Sequence, residues 1–292
     1  MSTVVKQAVE VLNRGGIIIY PTDTAFGIGC RIDCVASVNK LFRLRRRPAT
    51  QAMPILVASP QMALPYLDHP SDIVRHLMDQ YWPGALTIVA PGRVDLIYSP
   101  IRGGGKNIGV RMPNHETALA IIRSVGVPIL GPSANFHGGP TPFHQEDLDQ
   151  KLVVLVDFVV PGKCELGTVS TVVDCSVTPY RIIRQGGVLL KNVILSIDTA
   201  RSEIVQVTLE IAGEKHTKTA QSRLWKAQTV LPLIEELLCE QGLKPSDIVQ
   251  LEVNTGPGSF TGLRVGVAIA NMLGTLLNLP VNRSPTLVLP KY

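Results

Sequence analysis

Hydrophobic and polar positions along the chain alternate between helical and strand-like stretches. Helical periodicity is found at residues 4–13, 36–44, 72–81 and 116–125. Short apolar and β-branched runs predict strands at residues 17–20, 55–57, 86–89, 109–111, 127–130, 153–156, 170–174 and 180–184. Strands interrupted by helices favour an α/β domain built on a twisted, mixed sheet.

A second pattern begins near residue 191. Its predicted elements are, in order, strands at 193–197, 204–211 and 216–219, a helix at 222–239, a strand at 248–253, a helix opening near Gly262 and a short strand near 280. The first three strands are most economically antiparallel. The chain therefore divides into a first domain of residues 1–188 and a smaller second domain of residues 191–292.

The two predicted helices of the second domain carry regular surfaces. In the first helix, apolar residues follow coiled-coil spacing at Leu224, Ala227, Leu231, Ile234 and Leu238. In the second helix, small residues that would let another helix approach closely recur at Gly262, Gly266, Ala270 and Gly274. Because a sheet covers one face of a helix, the sequence predicts a partner interface here.

Composition excludes several classes of protein. With 292 residues, 45% hydrophobic and 17% charged, the chain is expected to form cores rather than remain disordered. No apolar run long enough to span a bilayer and no signal-peptide pattern is recognised, so the expected location is cytoplasmic, without membrane contact. Five cysteines without a CxxC pair argue against a disulfide framework or a zinc site, and no metal ligands are predicted.

Positive charge is concentrated in the first domain. The net charge is +5, and residues 1–190 hold 18 Lys and Arg against 14 Asp and Glu. Arg43, Arg45, Arg46 and Arg47 lie within five residues, a density that suits a polyanion such as a triphosphate or an RNA backbone. The alternative is a solvated helix end.

Two loops follow predicted strands and are candidates for ligand binding. Residues 21–29 place hydroxyl groups and glycines directly after a buried strand, although the same residues could simply cap the next helix. Residues 256–262 also join a strand to a helix, where phosphate can bind. This second loop matches neither GxxxxGK[ST] nor GxGxxG and lacks a lysine for a phosphate, which disfavours nucleotide binding there.

Separated parts of the first domain could converge on one site. They are the Thr22 and Thr24 loop, the arginine cluster, Arg111, and residues 132–135. Together they supply cations for negative oxygens and donors that fix a nucleotide, as phosphoryl or nucleotidyl transfer requires.

Six blocks of residues in the first domain resemble the TsaC/YrdC family, in the same order. They are YPTDTAFGIG (20–29), RRRP (45–48), WPGALT (82–87), VRMP (110–113), PSAN (132–135), and STVVD (170–174) with RIIRQGG (181–187). The resemblance implies a nucleotidyltransferase that makes threonylcarbamoyl-adenylate from L-threonine, bicarbonate and ATP. That product is the first intermediate of threonylcarbamoyladenosine in tRNA, and Mg²⁺ is expected to accompany ATP.

The resemblance also assigns residues. It implies catalytic roles for Arg45 and Arg47 and threonine binding by Thr24, Arg111 and Ser170. The implied ATP-binding residues are Arg47, Gln51, Asn107, Ser133, Asn135, Thr141 and Arg184. The family signature Lys-x-Arg is here Arg45-x-Arg47, and Gln51 stands where Lys or Asn is expected. These departures leave open a protein that binds threonylcarbamoyl-adenylate or AMP and hydrolyses or consumes the intermediate.

The second domain resembles the first subdomain of TsaB, an actin-like (ASKHA, ribonuclease H-like) protein that partners TsaD. Residues 194–200 and 256–266 carry this resemblance. It implies docking to a TsaD-like protein, with a homodimer as the alternative. The expected interface residues are Leu224, Leu231, Ile234, Leu238, Gly266, Ala270 and Gly274. A third hypothesis is an RNA-binding or scaffold role; on the favoured one, tRNA contact is at most indirect.

Overall fold

A computed structural model of the chain describes residues 2–177, 180–190, 193–211, 213–221, 226–277, 279–284 and 286–292. It divides into two compact units. The first comprises Met1–Val177 and Arg181–Leu190, and the second comprises Thr178–Tyr180 and Lys191–Tyr292.

The first unit is a mixed α/β structure. Its helices are α1 (Thr3–Asn13), α2 (Val35–Leu44), α3 (Pro60–Ala63), α4 (Asp72–Tyr81), α5 (Glu116–Val125) and α6 (Gln150–Val153). Its strands are β1 (Ile18–Tyr20), β2 (Gly27–Gly29), β3 (Ile55–Leu56), β4 (Leu86–Pro91), β5 (Asn107–Arg111), β6 (Ile129–Leu130), β7 (Phe158–Val159), β8 (Thr171–Asp174) and β9 (Arg181–Arg184).

Both sheets of this unit contain parallel and antiparallel neighbours. One has the order β2-β1-β7 and the other β6-β3-β5-β4-β8-β9. In the larger sheet β5 is parallel to β3 and antiparallel to β4, while β8 is parallel to β4. This arrangement confirms the α/β fold with a mixed sheet that the sequence predicts.

Helix α1 illustrates how the sequence builds this unit. The hydroxyl of Ser2 accepts a hydrogen bond from the backbone N–H of Val5 and caps the helix. Val5, Ala8 and Leu12 recur at helical spacing and are buried in a core that includes β1 and α5. Burial of a side chain as large as Val5 or Leu12 contributes about 1.5–3 kcal/mol.

The strand predicted at residues 153–156 is wrong. Helix α6 ends at Val153, and the carboxylate of Asp149 caps its first turn by accepting from the backbone N–H of Lys151 at 2.8 Å. Val154 is 78% exposed, so this apolar run does not enter the core. The strand lies just beyond it, at β7, and is parallel to β1.

The second unit has the elements expected of an actin-like subdomain. They are β10 (Val193–Asp198), β11 (Ile204–Ile211), β12 (Glu214–Gln221), α7 (Lys226–Glu240), β13 (Ile248–Val253) and α8 (Phe260–Leu277). The sheet order is β12-β11-β10-β13, with β10, β11 and β12 antiparallel and β13 parallel to β10. The predicted antiparallel arrangement of the first three strands is therefore confirmed.

Most of the predicted interface residues are in the core of this unit, so the role predicted for them is wrong. Ile234 and Leu238 of α7 and Ala270 of α8 pack in the core cluster, and each is at most 6% exposed. Gly266 and Gly274 are buried because α8 approaches its own unit there: a Cβ at Gly274 would lie 2.8 Å from Val281 Cγ2.

Two predicted interface residues are not found in the core. Leu231 is 43% exposed, whereas Leu224 lies outside the described residues. The exposed apolar residues of the two helices form a surface that we call the outer helix face, consisting of Ala227, Leu231, Phe260, Ala268, Met272 and Leu276.

Helix α8 is also the one helix in the described part of the chain that is long and apolar enough to cross a membrane, judged by length and composition. The sequence prediction overlooked it because Arg264 and Asn271 interrupt the apolar run. Leu263, Val267 and Ala270 of α8 are buried in the second unit, as in a core helix of a globular domain.

Candidate active site

A cavity of about 690 Å³ opens in the first unit, between strand ends and the loops that follow them. It collects most of the residues that the sequence predicts for ligand binding. The predicted residues on its wall are Thr24, Arg45, Arg47, Asn107, Arg111, Ser133, Thr141, Ser170 and Arg184.

The connection between β1 and β2 forms one wall. Strand β2 ends in a glycine because β6 lies very close: a Cβ at Gly29 would be 2.0 Å from the carbonyl oxygen of Leu130. The hydroxyl of Thr22 donates to the carbonyl oxygen of Ala25 at 2.7 Å and accepts the backbone N–H groups of Thr24 and Ala25. This turn holds the Thr24 side chain at the cavity.

Arg111, the last residue of β5, binds this turn. Its Nη1 donates to Thr24 Oγ1 at 2.7 Å, its Nε donates to the carbonyl oxygen of Gly84, and its Nη2 forms an ion pair with Asp23. Both side chains of the pair are buried. Burial lowers the pKa of Arg111, and the carboxylate of Asp23 opposes that shift.

The arginine cluster lies where α2 ends. Arg46 has a left-handed backbone with φ of 54°, and its guanidinium lies 4.9 Å from the ring centre of Phe136. This turn directs the neighbouring Arg45 and Arg47 to the cavity wall. Arg47 is half-buried and donates to the carbonyl oxygens of Gln51 and Ala52, and burial lowers its pKa.

Arg45 is almost completely buried, with 2% of its surface exposed. Its Nε and Nη2 donate to the backbone oxygen and to Oδ1 of Asn135, at 2.9 and 3.0 Å. Burial lowers its pKa to about 10, and the nearby charge of Arg47 adds to this effect. The guanidinium therefore anchors the loop that carries Ser133, whose hydroxyl donates to the same Oδ1.

The opposite wall comes from β4, β8 and β9. Arg184, at the end of β9, donates through Nε and Nη2 to the carbonyl oxygen of Ser170, and Nη2 is also 3.1 Å from Ser170 Oγ. The Ser170 hydroxyl lies 2.9 Å from Thr87 Oγ1. Burial lowers the pKa of Arg184.

Two predicted residues do not line the cavity. Asn135 supports Arg45 and Ser133 from behind, and its side-chain amide donates to the carbonyl oxygen of Gly139 at 2.6 Å. Gln51 is exposed and contributes its backbone oxygen to Arg47. The side chains at these two positions therefore act on the site through other residues.

The sequence prediction missed several polar residues of the cavity. Thr87 lies inside the WPGALT block without a role assigned to it. Arg102 and Lys106 flank a glycine loop, in which Gly103 and Gly104 have positive φ. Arg102 donates to the carbonyl oxygen of Gly105 and holds this loop against the cavity. A lone lysine after three glycines matches no motif, although its charge beside an arginine was a usable signal.

The charge of the lining is one-sided. Arg45, Arg47, Arg102, Lys106, Arg111 and Arg184 reach the cavity, whereas no carboxylate among the described residues does so. Asp23 compensates Arg111 from behind the wall. Such a surface favours ligands with several negative charges, such as a nucleoside triphosphate together with a carboxylate.

A resident metal ion does not fit the described side chains. No group of three or more His, Cys, Asp or Glu residues among them could hold one. Asp23, beside Thr24, is a single carboxylate: its Oδ1 is paired with Arg111, and its buried Oδ2 has no hydrogen-bond partner.

The chain matches the Sua5/YciO/YrdC family model, described as telomere recombination, over residues 10–186. It is 31% identical over 269 residues to the threonylcarbamoyl-AMP synthase of Pyrococcus abyssi, which covers 90% of this chain and 75% of the relative. The chain belongs to the Sua5/YciO/YrdC family. The predicted family resemblance of the first domain is therefore confirmed.

Other members of this family extend the comparison. The threonylcarbamoyl-AMP synthase of Bacillus subtilis is 30% identical over 193 residues, but the match spans only 55% of that protein's length and 65% of this chain. E. coli YciO shares the fold with a TM-score of 0.56 and 25% identity, over 63% of this chain and 89% of YciO. A structure of P. abyssi Sua5 has a TM-score of 0.61 at 22% identity, over 95% of this chain and 94% of that one, and shows the fold alone.

The second unit has a separate match. Residues 225–283 match a family model named TsaD, tRNA N6-adenosine threonylcarbamoyltransferase. This region contains α7, β13 and α8. The match relates the second unit to the TsaD family.

Proposed function

We propose that the first unit condenses L-threonine, bicarbonate and ATP into threonylcarbamoyl-AMP, with release of pyrophosphate, as the first step of threonylcarbamoyladenosine formation in tRNA. The observation that carries the proposal is the cavity wall, where six cations converge without a carboxylate among the described residues. Family membership and the printed names of the relatives, threonylcarbamoyl-AMP synthases, support the same reaction.

The reaction balances in two steps. The amine of threonine and bicarbonate form N-carboxythreonine and water. A carbamate oxygen then attacks the α-phosphorus of ATP, the bond from that phosphorus to the bridging oxygen breaks, and pyrophosphate leaves. Because the carbamate is already an anion, the second step depends on holding two anions together and on compensating charge at the leaving oxygen.

The cavity residues divide between the two substrates. Arg111, Thr24 and Ser170 face threonine, while the triphosphate lies along Arg47 and Lys106. Adenosine and its phosphates extend over the remaining predicted ATP-binding residues, Asn107, Ser133, Thr141 and Arg184. Arg45 and Asn135 position the Ser133 loop and do not need to move when ATP binds.

Mg²⁺ enters this proposal as part of the substrate. The described side chains offer no carboxylate cluster for it, and Mg²⁺ commonly keeps several waters and binds substrate phosphates. The nucleotide would therefore carry the ion into the cavity, and no step assigned to this chain's residues depends on it.

The test uses the full chain with ATP, L-threonine, bicarbonate and Mg²⁺. Release of pyrophosphate and accumulation of threonylcarbamoyl-AMP are expected. Arg47→Ala should lower kcat/KM by about 10²–10³, because a cation aimed at the phosphates is removed. Arg43 is exposed on α2 outside the cavity, so Arg43→Ala should leave kcat/KM unchanged. Conversion of supplied threonylcarbamoyl-AMP to AMP without pyrophosphate release from ATP would favour hydrolysis instead.

The second unit is proposed as a TsaB-like docking module for a TsaD-like protein. Its outer helix face leaves large apolar groups in water: Leu231 is 43% exposed and Met272 is 45% exposed. A shallow groove of about 470 Å³ borders this face at Ala227, Phe260 and Ala268. Because the TsaD family model matches this same helix pair, a TsaD-like partner would present a comparable face. Self-association through the outer helix face is the alternative.

This role implies a cytoplasmic protein that uses ATP and acts in tRNA modification. Its contact with tRNA would be indirect, through the partner that receives threonylcarbamoyl-AMP.

A further inference from the structure

Strand β5 separates the cations of the cavity into two groups. Lys106 directly precedes this strand and Arg111 is its last residue. Because a strand rises about 3.3 Å per residue, the backbones of these two residues lie roughly 16 Å apart. Both residues line the cavity. The cavity therefore has two ends, which we call the Arg111 end and the Lys106 end.

Strand register places Arg184 at the Arg111 end. The start of β4 is level with the end of β5, because these two strands are antiparallel. Val172 of β8 pairs with Thr87, near the start of β4, and on its other side with Arg184 of β9. Arg184 and Arg111 therefore belong to the same end of the sheet.

Arg47 belongs to the opposite end. Strand β3 is parallel to β5, so the residues just before β3 are level with the start of β5. Arg47 donates hydrogen bonds to two carbonyl oxygens in that segment, those of Gln51 and Ala52. These bonds hold its guanidinium at the Lys106 end.

The glycine loop before Lys106 is fixed against the same segment. Gly103 has φ of 62°, and a Cβ there would lie 2.7 Å from the backbone nitrogen of Ala52. Arg102 donates to the carbonyl oxygen of Gly105 within the loop. The close contact and this hydrogen bond fix the main chain from which the side chain of Lys106 projects.

The ammonium group of Lys106 is available to a ligand. In the described part of the chain, no hydrogen bond or ion pair engages it, and the residue is exposed on the cavity wall. Arg111 and Arg184, by contrast, donate to protein oxygens at the other end. Lys106 thus retains three N–H donors and a full charge for an anion.

The proposed reaction needs a cation away from threonine. In an in-line displacement, the attacking and leaving oxygens lie on opposite sides of the α-phosphorus. The proposed function places threonine at the Arg111 end, so the carbamate attacks from that end and pyrophosphate leaves toward the other. Negative charge grows on the leaving oxygen, and a lysine can compensate it as a point charge.

We infer that Lys106 is a catalytic residue that binds the β- and γ-phosphates of ATP and compensates the charge on the leaving pyrophosphate, with Arg47 beside it. This inference rests on the proposed function. AMP lacks the leaving group and therefore does not depend on Lys106. The two ligands consequently separate this role from a general attraction of the cavity for anions.

The test measures calorimetric binding of pyrophosphate and of AMP, with Mg²⁺, to the full chain and to two variants. Lys106→Met removes the charge and should weaken pyrophosphate binding about tenfold or more, because hydrogen bonds to a charged group are lost. Its affinity for AMP should stay the same, whereas its kcat/KM for ATP should fall about tenfold or more. Lys106→Arg keeps the charge and should retain most of the affinity for pyrophosphate.

Lys6→Met is the matched control, because Lys6 is an exposed lysine of α1 outside the cavity. It should bind both ligands as the wild type does. Equal pyrophosphate affinity in Lys106→Met and wild type, or an equal loss of AMP affinity, would overturn the inference. If Lys106→Met fails to fold, Lys106→Gln provides the same comparison.

Failure of the proposed function has a different signature. The unmodified chain would then release no pyrophosphate from ATP in the presence of L-threonine and bicarbonate, whatever the affinities of Lys106→Met.

Discussion

The guanidinium of Arg45 is bound to the protein itself, although the residue also lines the cavity. Two of its nitrogens hold Asn135, and only 2% of the residue is exposed. An ammonium group cannot form the same planar pair of hydrogen bonds. The sequence correctly predicted a positive charge at this site. It could not predict whether the guanidinium binds a phosphate or Asn135, because Asn135 lies 90 residues further along the chain.

Arg45→Lys should therefore lower both stability and turnover. One of the two bonds to Asn135 is lost in a buried place, which costs about 1–3 kcal/mol. The melting temperature and kcat are the measurements, with Arg43→Lys as the control at an exposed position of the same cluster. Wild-type stability together with equal or higher activity in Arg45→Lys would show that the fork to Asn135 is dispensable.

Residue identities were more predictable than residue contacts. The blocks in the sequence placed Arg47, Arg111, Ser170 and Arg184 at one site, and the structure brings them to one cavity. Their hydrogen bonds could not be predicted, because each depends on backbone oxygens from other elements, such as Gly84 for Arg111. Lys106 was missed because it occurs in a loop without a pattern.

At the scale of elements, helix α8 shows where a sequence pattern is ambiguous. Small residues at every fourth position permit close approach, but they do not identify what approaches. In this chain it is the unit's own sheet and the segment after the helix: a Cβ at Gly274 would lie 2.9 Å from the carbonyl oxygen of Leu279. The spacing of these small residues could be predicted from the sequence, whereas the element that packs against them depends on the tertiary fold.

Gly274→Ala should consequently destabilise the second unit rather than change its association. The added methyl group collides with Val281 and a backbone oxygen, and overpacking of this kind costs about 1–3 kcal/mol. Thermal unfolding of the full chain measures the effect. Ala268→Leu, on the exposed side of the same helix, should stay within about 0.5 kcal/mol of wild type. Equal stability of Gly274→Ala and wild type would contradict close packing of α8 at Gly274.

Asp157 joins elements of the first unit in a way that depends on pH. It accepts from the backbone N–H of Ile17, just before β1, at 2.7 Å and pairs with Lys40 of α2 at 3.1 Å. Partial burial tends to raise the pKa of Asp157, but these two contacts outweigh it and lower the pKa below its usual value. The stabilisation is therefore present above about pH 4, the ordinary pKa of an aspartate, and is lost as pH falls further.

Asp157→Asn should lower the melting temperature at pH 7, by a modest amount because the carboxylate is 41% exposed. The difference should shrink as the pH falls below the ordinary pKa of an aspartate, about 4, because the aspartate in the wild type then becomes protonated. A difference that stays constant from pH 7 to pH 3 would mean that the charge of Asp157 does not contribute.

At the scale of the whole molecule, the chain combines a unit with a charged cavity and a unit with an exposed apolar helix surface. Sequence blocks and periodicity predicted both units and most of their helices and strands along the chain, since these rest on local patterns. They did not predict which helix side is exposed. The stripe containing Ile234 and Leu238 points into the core, while Met272 and Leu276 are on the exposed side.

The outer helix face can be tested separately from catalysis. Leu231→Glu combined with Met272→Glu should weaken association with a TsaD-like protein or with a second copy by at least about tenfold, because charges would be buried at the contact. Light scattering and a binding titration measure this, and pyrophosphate release should remain at the wild-type rate. Val154→Glu, at an apolar residue of the first unit that is 78% exposed, is the matched control. Undiminished association in the double variant would exclude this face.

The one-sided charge of the cavity also affects how fast ligands enter and leave it. Six cations that face one space repel one another when it is empty, so an incoming polyanion relieves this repulsion before any specific contact forms. In the proposed reaction the same field would hold back pyrophosphate, so we expect its departure to be slowed. Dissolved salt weakens both effects over a screening length of about 8–10 Å. For the proposed reaction we therefore expect higher ionic strength to slow the arrival of ATP and to speed the exit of pyrophosphate.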